Sequence, residues 1–236
     1  MLLTNKVSLI TGAGRGIGRA TACRLAAAGA AVAICARTAA QLDATAAMIT
    51  AQGGSVLALA GDISDATFVE RLFAATHERW GRLDILVNNA GVIDVRPFLE
   101  LDPATWDRIL AVNLRAAYLC SRAAFGLMAG HGGVILNVSS LAGVRGTEKF
   151  PGFTAYIVSK YGLLGLTESL AVEGKPYGIR VNAVSLGAVD TAMLAQAAPF
   201  LKTETTPAQV AETLYWLAGD SAAHINGANL EIFSNA

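Results

Sequence analysis

"VSLITGAGRGIG", residues 7–18, runs from an apolar segment into a cluster of glycines. Val7–Thr11 carries no charge and no polar face, as expected of a strand covered on both sides. Gly12, Gly16 and Gly18 follow it, and a helical pattern starts near residue 15. A strand that passes through a glycine turn into a helix decides the fold class. Glycine tolerates positive φ and lets backbone approach a ligand closely, while a helix N-terminus offers free N–H groups and the positive dipole end. That combination seats a pyrophosphate at the position where an open parallel sheet binds dinucleotides. The spacing is T-G-x-x-x-G-x-G rather than G-x-G-x-x-G, because position 19 is Arg. No G-K-[ST] follows, so the turn is not the phosphate loop of an NTPase.

Outward from this unit the same alternation repeats. Strand candidates are Val7–Thr11, Ala31–Cys35, Val56–Ala60, Ile85–Asn88, Val134–Val138, Arg180–Val184 and Leu230–Phe233. Helical patterns lie near 15–28, 38–52, 65–79, 103–129, 155–174 and 207–218. Ser64 or Asp65 can cap the third helix, and Asp102 with Pro103 opens the fourth. Gly174 and Pro176 end the fifth. Strand-helix alternation implies parallel strands joined by crossovers. The expected fold is α/β, a Rossmann-like doubly wound parallel sheet of about seven strands with helices on both faces. No repeat or linker interrupts it, so residues 1–236 read as a single dinucleotide-binding and catalytic domain.

Composition narrows the function. Hydrophobic residues make up 53% of the 236, charged residues 15%, and the formal net charge is +0. That composition builds a large core and offers no basic surface for nucleic acid or anionic membrane. No apolar run is long enough to span a bilayer. The stretch "MLLTNKVSLITGAG" shows no signal-peptide pattern, so the expected compartment is the cytoplasm. Cys23, Cys35 and Cys120 are scattered in apolar surroundings and read as free buried thiols. His77, His131 and His224 lack ligand spacing and read as surface or loop residues, so no metal is expected.

The end of the second strand bears on the cofactor. Dinucleotide folds often place a carboxylate there for the adenosine ribose. Here Ala36 and Arg37 occupy it, and the next acid is Asp43. Arg37, with Arg15 from the glycine turn, suits a 2′-phosphate. The expected cofactor is NADP(H), with NAD(H) possible.

Further along, "YIVSK", residues 156–160, puts Tyr156 and Lys160 on one helical face. With "GDIS" at 61–64, "NNAG" at 88–91, "VNL" at 112–114 and "NVSS" at 137–140, the ordered set resembles the short-chain dehydrogenase/reductase family over essentially the whole chain. The resemblance implies roles. Gly12, Gly16, Ile17 and Gly18 would shape the pyrophosphate turn, and Asp62 and Ile63 would flank the adenine. Asn88 or Asn89, Ala90 and Gly91 would line the strand edge beside the cofactor, joined later by Gly187, Val189 and Thr191. Ser140, three residues before Gly143, would be the catalytic serine. Tyr156 would be the proton donor and would contact the cofactor. Lys160 would also bond the nicotinamide ribose, and Asn113 would sit at a distortion of the long helix and hold a water behind Lys160.

The chemistry implied is interconversion of a carbonyl and an alcohol by hydride transfer. It asks for a Tyr of lowered pKa. Bringing a phenol down by ~3 units requires about 4 kcal/mol, and an ammonium ~5 Å away supplies roughly 3 kcal/mol at an effective dielectric near 20. Lys160 is therefore expected to lower the Tyr156 pKa. Ser140 would stabilise charge at the substrate oxygen.

Several positions depart from the family pattern. Leu186 replaces the usual Pro before Gly187, which should loosen that loop. The segment 192–206 is short for a substrate lid, and the C-terminus lacks the usual Asp-Gly-Gly. Met193, Leu194, Phe200, Leu201, Val92, Ile93, Val144 and Phe153 are candidate apolar walls, pointing to a small apolar carbonyl or alcohol substrate. Gly130 and Tyr177 stand where carrier-protein ketoacyl reductases often have Arg, which argues against a carrier-bound chain. On the helix at 156–172, Leu163, Leu166 and Leu170 form one apolar stripe and Ile157, Tyr161, Leu164 and Val172 another. One covers the sheet and the other needs a partner, so a homodimer or homotetramer is expected. The rival reading is an NADP-binding redox sensor without turnover, against which the Ser140, Tyr156 and Lys160 set speaks.

Overall fold

In the computed structural model, which describes residues 2–234, a seven-stranded sheet has the order β3-β2-β1-β4-β5-β6-β7, all neighbours parallel. The strands are β1 (Val7–Thr11), β2 (Ala31–Ala36), β3 (Val56–Ala60), β4 (Ile85–Asn88), β5 (Gly133–Ser140), β6 (Ile179–Leu186) and β7 (Asn229–Ile232). The helices are α1 (Gly16–Ala27), α2 (Ala39–Ala51), α3 (Ala66–Trp80), α4 (Pro103–Leu110), α5 (Ala116–Met128), α6 (Thr154–Glu173), α7 (Ala192–Ala197) and α8 (Pro207–Ala218).

Apolar side chains leave both faces of the sheet because β-strand residues alternate sides. Ile10 joins a core with Leu25, Ile49 and Leu214 of α1, α2 and α8, while Leu9 joins one with Phe68, Cys120 and Ala171 of α3, α5 and α6. Both β1 residues are 0% exposed. The expected strands and long helices are all present. β5 and β6 run longer than expected, so Ser139, Ser140 and Leu186 are strand residues. Asp65, rather than Ser64, caps α3, accepting from Thr67 N, and Asp102 caps α4, accepting from Thr105 N. The helix expected at 103–129 is one rod interrupted by a π turn at Ala111–Arg115, which contains Asn113.

The strand order reverses between β1 and β4, and the crevice of such a sheet opens outside the carboxyl ends of the strands at that point. Among the described residues no helix is long and apolar enough to cross a membrane. Cys35 and Cys120 are buried free thiols, whereas Cys23 is only half-buried.

Candidate active site

Thr11 ends β1 at the switch point, and its Oγ1 accepts from Asn89 N at 3.0 Å and Ala90 N at 2.9 Å. Asn89 Nδ2 donates back to Thr11 O at 2.9 Å and Gly12 O at 3.3 Å. The turns after β1 and β4 are thus one unit. Gly12 has φ 67°, and a Cβ there would stand 2.9 Å from Ala90 Cα. A side chain at Gly18 would collide with the Gly12 carbonyl, so Gly18 lets α1 close on the turn. Gly16 has φ 55°. Arg15 stands at the N-cap of α1 with no side-chain cap, which leaves first-turn N–H groups free for an anion.

Two cavities meet here, one of about 990 Å³ and one of about 200 Å³, sharing Gly12, Arg15, Ala90, Gly91 and Met193. Arg37, Thr38, Asp62 and Ile63 line the smaller. Burial pushes the Asp62 carboxyl up, but hydrogen bonds from Ser64 N (2.9 Å) and Oγ (2.7 Å) and the Arg37 charge outweigh it and hold the group below its ordinary range. Ile17, Asn89, Gly187, Val189 and Thr191 line the larger.

Ser140, Tyr156 and Lys160 converge in the larger cleft. Ser140 is the last residue of β5, and the turn beyond it lies tight on α6: a Cβ on Gly143 would sit 2.6 Å from the Lys160 carbonyl carbon. Ser140 Oγ accepts from Ala142 N at 3.1 Å and shares a hydrogen bond with the Tyr156 side chain. Lys160 Nζ donates to Val138 O at 2.8 Å and lies 5.6 Å from the Tyr156 ring centroid. Asn113 Oδ1 accepts from Val92 N at 2.8 Å, and its Nδ2 donates to Val92 O at 2.9 Å and Ser159 Oγ at 3.0 Å. Ser159 Oγ donates to Tyr156 O, so the π turn, the segment after β4 and the Tyr156 turn of α6 are laced together.

A family model described as short chain dehydrogenase matches residues 6–201. The chain belongs to the short-chain dehydrogenase family. It is 38% identical to a short chain dehydrogenase/reductase of Aspergillus oryzae over 98% of this chain and 95% of the relative. A solved short-chain dehydrogenase/reductase from Serratia marcescens superposes with TM-score 0.93 at 37% identity, covering 99% of this chain and 98% of that one. A carveol dehydrogenase from Mycobacterium avium, solved in complex with NAD, superposes with TM-score 0.89 at 27% identity over 98% and 97% of the two chains.

Within this short-chain dehydrogenase several expectations need correction. Burial raises the Tyr156 hydroxyl above its ordinary value and the Ser140 hydrogen bond pulls it back; the protein alone does not produce the expected fall. Burial also lowers Lys160 to about 8, so its charge acts on Tyr156 at neutral pH and is lost as pH rises through that value. Asn88 does not line the cleft: its Nδ2 donates to Ser121 Oγ and Asn137 Oδ1 inside the core, and its Oδ1 has no partner among the described residues. Asn89 takes the cleft position. Gly18 lines neither cavity and packs behind the glycine turn, and Asn113 lines neither and bonds to Val92 and Ser159. Val92 faces the smaller cavity and Val144 lines neither, whereas Ile93, Phe153, Met193, Leu194, Phe200 and Leu201 do line the main cleft. Leu186 does not leave a loose loop. It pairs with Ile232 in the sheet, is 4% exposed, and is followed by a Gly187 N to Ile232 O bond of 2.8 Å.

Sequence reasoning missed Thr11, whose hydroxyl ties the two turns, and Phe150, Arg145, Lys202 and Phe233 of the cleft wall. Thr11 follows four strand residues and reads as one of them. Phe150 had a signal in "FPGF", residues 150–153, where aromatics flank the turn before α6. The segment 192–206 holds α7, capped by Thr191 Oγ1, which accepts from Leu194 N at 3.2 Å.

Proposed function

We propose that this chain is an NADP(H)-dependent oxidoreductase that interconverts a small apolar carbonyl compound and its alcohol, as a homodimer or homotetramer in the cytoplasm. The observation that carries the reading is that Ser140, Tyr156 and Lys160 line the same cleft as the glycine turn. The residues suit a dinucleotide: positive-φ glycines at 12 and 16, an uncapped helix start, and a Lys ammonium with one of its three N–H donors on Val138 O. Arg37 and Arg15 at the smaller cavity support a 2′-phosphate, although Arg37 already feels the Asp62 carboxylate.

When bound, the dinucleotide exchanges a hydride with the substrate carbon. In reduction, the Tyr156 hydroxyl gives its proton to the substrate oxygen, and Ser140 hydrogen-bonds that oxygen as charge develops on it. Lys160 stabilises the resulting phenolate across the Tyr156 ring. Asn113 holds the backbone of Val92 and, through Ser159, the Tyr156 turn of α6. A raised Tyr156 pKa keeps the proton on the hydroxyl at neutral pH, which favours reduction, and alcohol oxidation should accelerate as pH rises.

The test is NADPH oxidation over a panel of ketones, aldehydes and quinones, with an NADH arm. Tyr156→Phe should lose roughly 10²–10⁴-fold in turnover while still binding NADPH. Tyr156→Phe as active as the wild type would overturn the proton-donor role, and equal kcat/KM for NADH and NADPH would overturn the cofactor preference. Tight NADPH binding with no turnover of any compound would favour a sensor.

A further inference from the structure

A file of aromatic rings leads away from the proposed proton donor. Tyr156 meets Phe153 edge-on, with centroids 6.3 Å apart at 82°. Phe153 meets Phe150 at 5.9 Å and 56°, and Phe150 meets Phe200 at 5.7 Å and 66°. All of them line the main cleft. From Phe153 outward exposure grows: Phe153 is 8% exposed, Phe150 is half-buried, and Phe200, just beyond α7, is 62% exposed. Phe200 thus keeps most of an apolar ring in water at the outer end of the file, in the same cleft as Tyr156, and a ligand ring would relieve that exposure.

The file starts at the group that would meet the reacting oxygen, so a substituent that extends outward through the cleft from the carbonyl carbon runs toward these rings. Aromatic rings reward another ring through offset or edge-to-face contact beyond plain burial. A rigid ring also loses less rotamer freedom on binding than a chain of equal size. The rim does not select for charge, because the exposed side chains there, Arg145, Lys202, Glu148 and Glu231, are of both signs.

We propose that the substrate carries a flat, uncharged ring on its carbonyl carbon, seated against Phe150 and Phe200, and that these two residues set a preference for ring-bearing over open-chain ketones. The inference rests on the carbonyl-reductase reading above. The ketone takes a hydride from NADPH and a proton from Tyr156, giving the secondary alcohol and NADP⁺.

The experiment compares kcat/KM for acetophenone and 2-octanone with NADPH. The two have the same carbon count, and the chain is the more hydrophobic, so a preference for the ring cannot come from transfer alone. The wild type should favour acetophenone by about tenfold. Phe200→Leu and Phe150→Leu keep an apolar side chain but remove the ring, and each should lower the ratio roughly three- to tenfold. The ratio cancels any loss of active protein, and the exposed position of Phe200 makes misfolding of that variant a poor explanation for a change. A wild-type ratio near one, or a ratio unmoved in both variants, would overturn the ring preference and leave carbonyl reduction standing. No ketone or aldehyde reduced, with NADPH bound, would overturn both.

Discussion

The Lys160 ammonium lies behind the Tyr156 ring with 4% of the residue exposed, and burial lowers its pKa from 10.5 to about 8. A shift of that size corresponds to about 3 kcal/mol. Between those two values the unfolded chain binds more protons than the folded one, so stability rises with pH across the window. Below about 8 both states are protonated and the whole penalty is present; above 10.5 both are neutral and it is gone. Lys160→Met removes the charge and keeps an unbranched chain. In urea unfolding at pH 7 the variant should be more stable than the wild type by roughly 1–3 kcal/mol, the range reflecting a Val138 carbonyl left without its donor. At pH 10 the gap should shrink, while turnover falls at every pH. A variant no more stable at pH 7, or a gap independent of pH, would contradict the burial penalty. The site would then owe nothing of its charge to strain against the fold.

At the scale of elements the glycine turn separates two demands that the same residue type meets. A side chain on Gly18 collides with the Gly12 carbonyl and with Asn89 Nδ2, so Gly18→Ala must push α1 off the β4 turn. At Gly16 the nearest atom to a Cβ is Thr191 Cγ2 at 3.5 Å, and the obstacle is φ 55° together with the space a pyrophosphate needs. Gly18→Ala should therefore lower the melting temperature and weaken NADPH binding together. Gly16→Ala should destabilise by only about 1 kcal/mol, the usual strain of a positive-φ residue, yet weaken NADPH binding tenfold or more. Calorimetric titration beside thermal melts checks both, and equal losses of stability in the two variants would refute the division. The strand-turn-helix unit itself was legible because its signals are local: an apolar run, fixed glycine spacing and a helical period. The π turn at Ala111–Arg115 was legible as a distortion only through the resemblance, since the bond its Asn113 makes with Val92 joins segments 21 residues apart. α7 was not legible, because six residues of "AMLAQA" carry too little periodicity to call a helix.

Across the whole molecule, what escaped the sequence was whatever depends on distant segments meeting. Ser140, Tyr156 and Lys160 could be named through the family resemblance, but Phe150 and Phe200 come from loops far apart in the chain, and their contact is a product of the fold. The Asn88 side chain likewise turns inward to Asn137 because β4 and β5 pair there, a register no single stretch discloses. The same long view bears on assembly. On α6, Leu163 is buried against the sheet side while Tyr161 is 39% and Val172 64% exposed, and Tyr118 on α5 is 46% exposed. Large apolar groups grouped on two helix faces are expected to be covered by a second copy of the chain. Tyr161 is not idle on that surface: its hydroxyl donates to Val144 O at 3.1 Å, and Lys149 lies 5.4 Å from its ring centroid, so it anchors the segment that runs from Ser140 to Phe150. Covering Tyr161 in an interface would fix that anchor. Light scattering at micromolar concentration should give a dimer or tetramer. Val172→Asp should shift the population toward monomer by placing a charge in the buried patch. The monomer should reduce ketones with a raised KM, because the segment carrying Phe150 loses its support. A wild-type chain that is monodisperse and monomeric, or a Val172→Asp monomer with unchanged KM, would show that the α5 and α6 faces do not support the site through assembly.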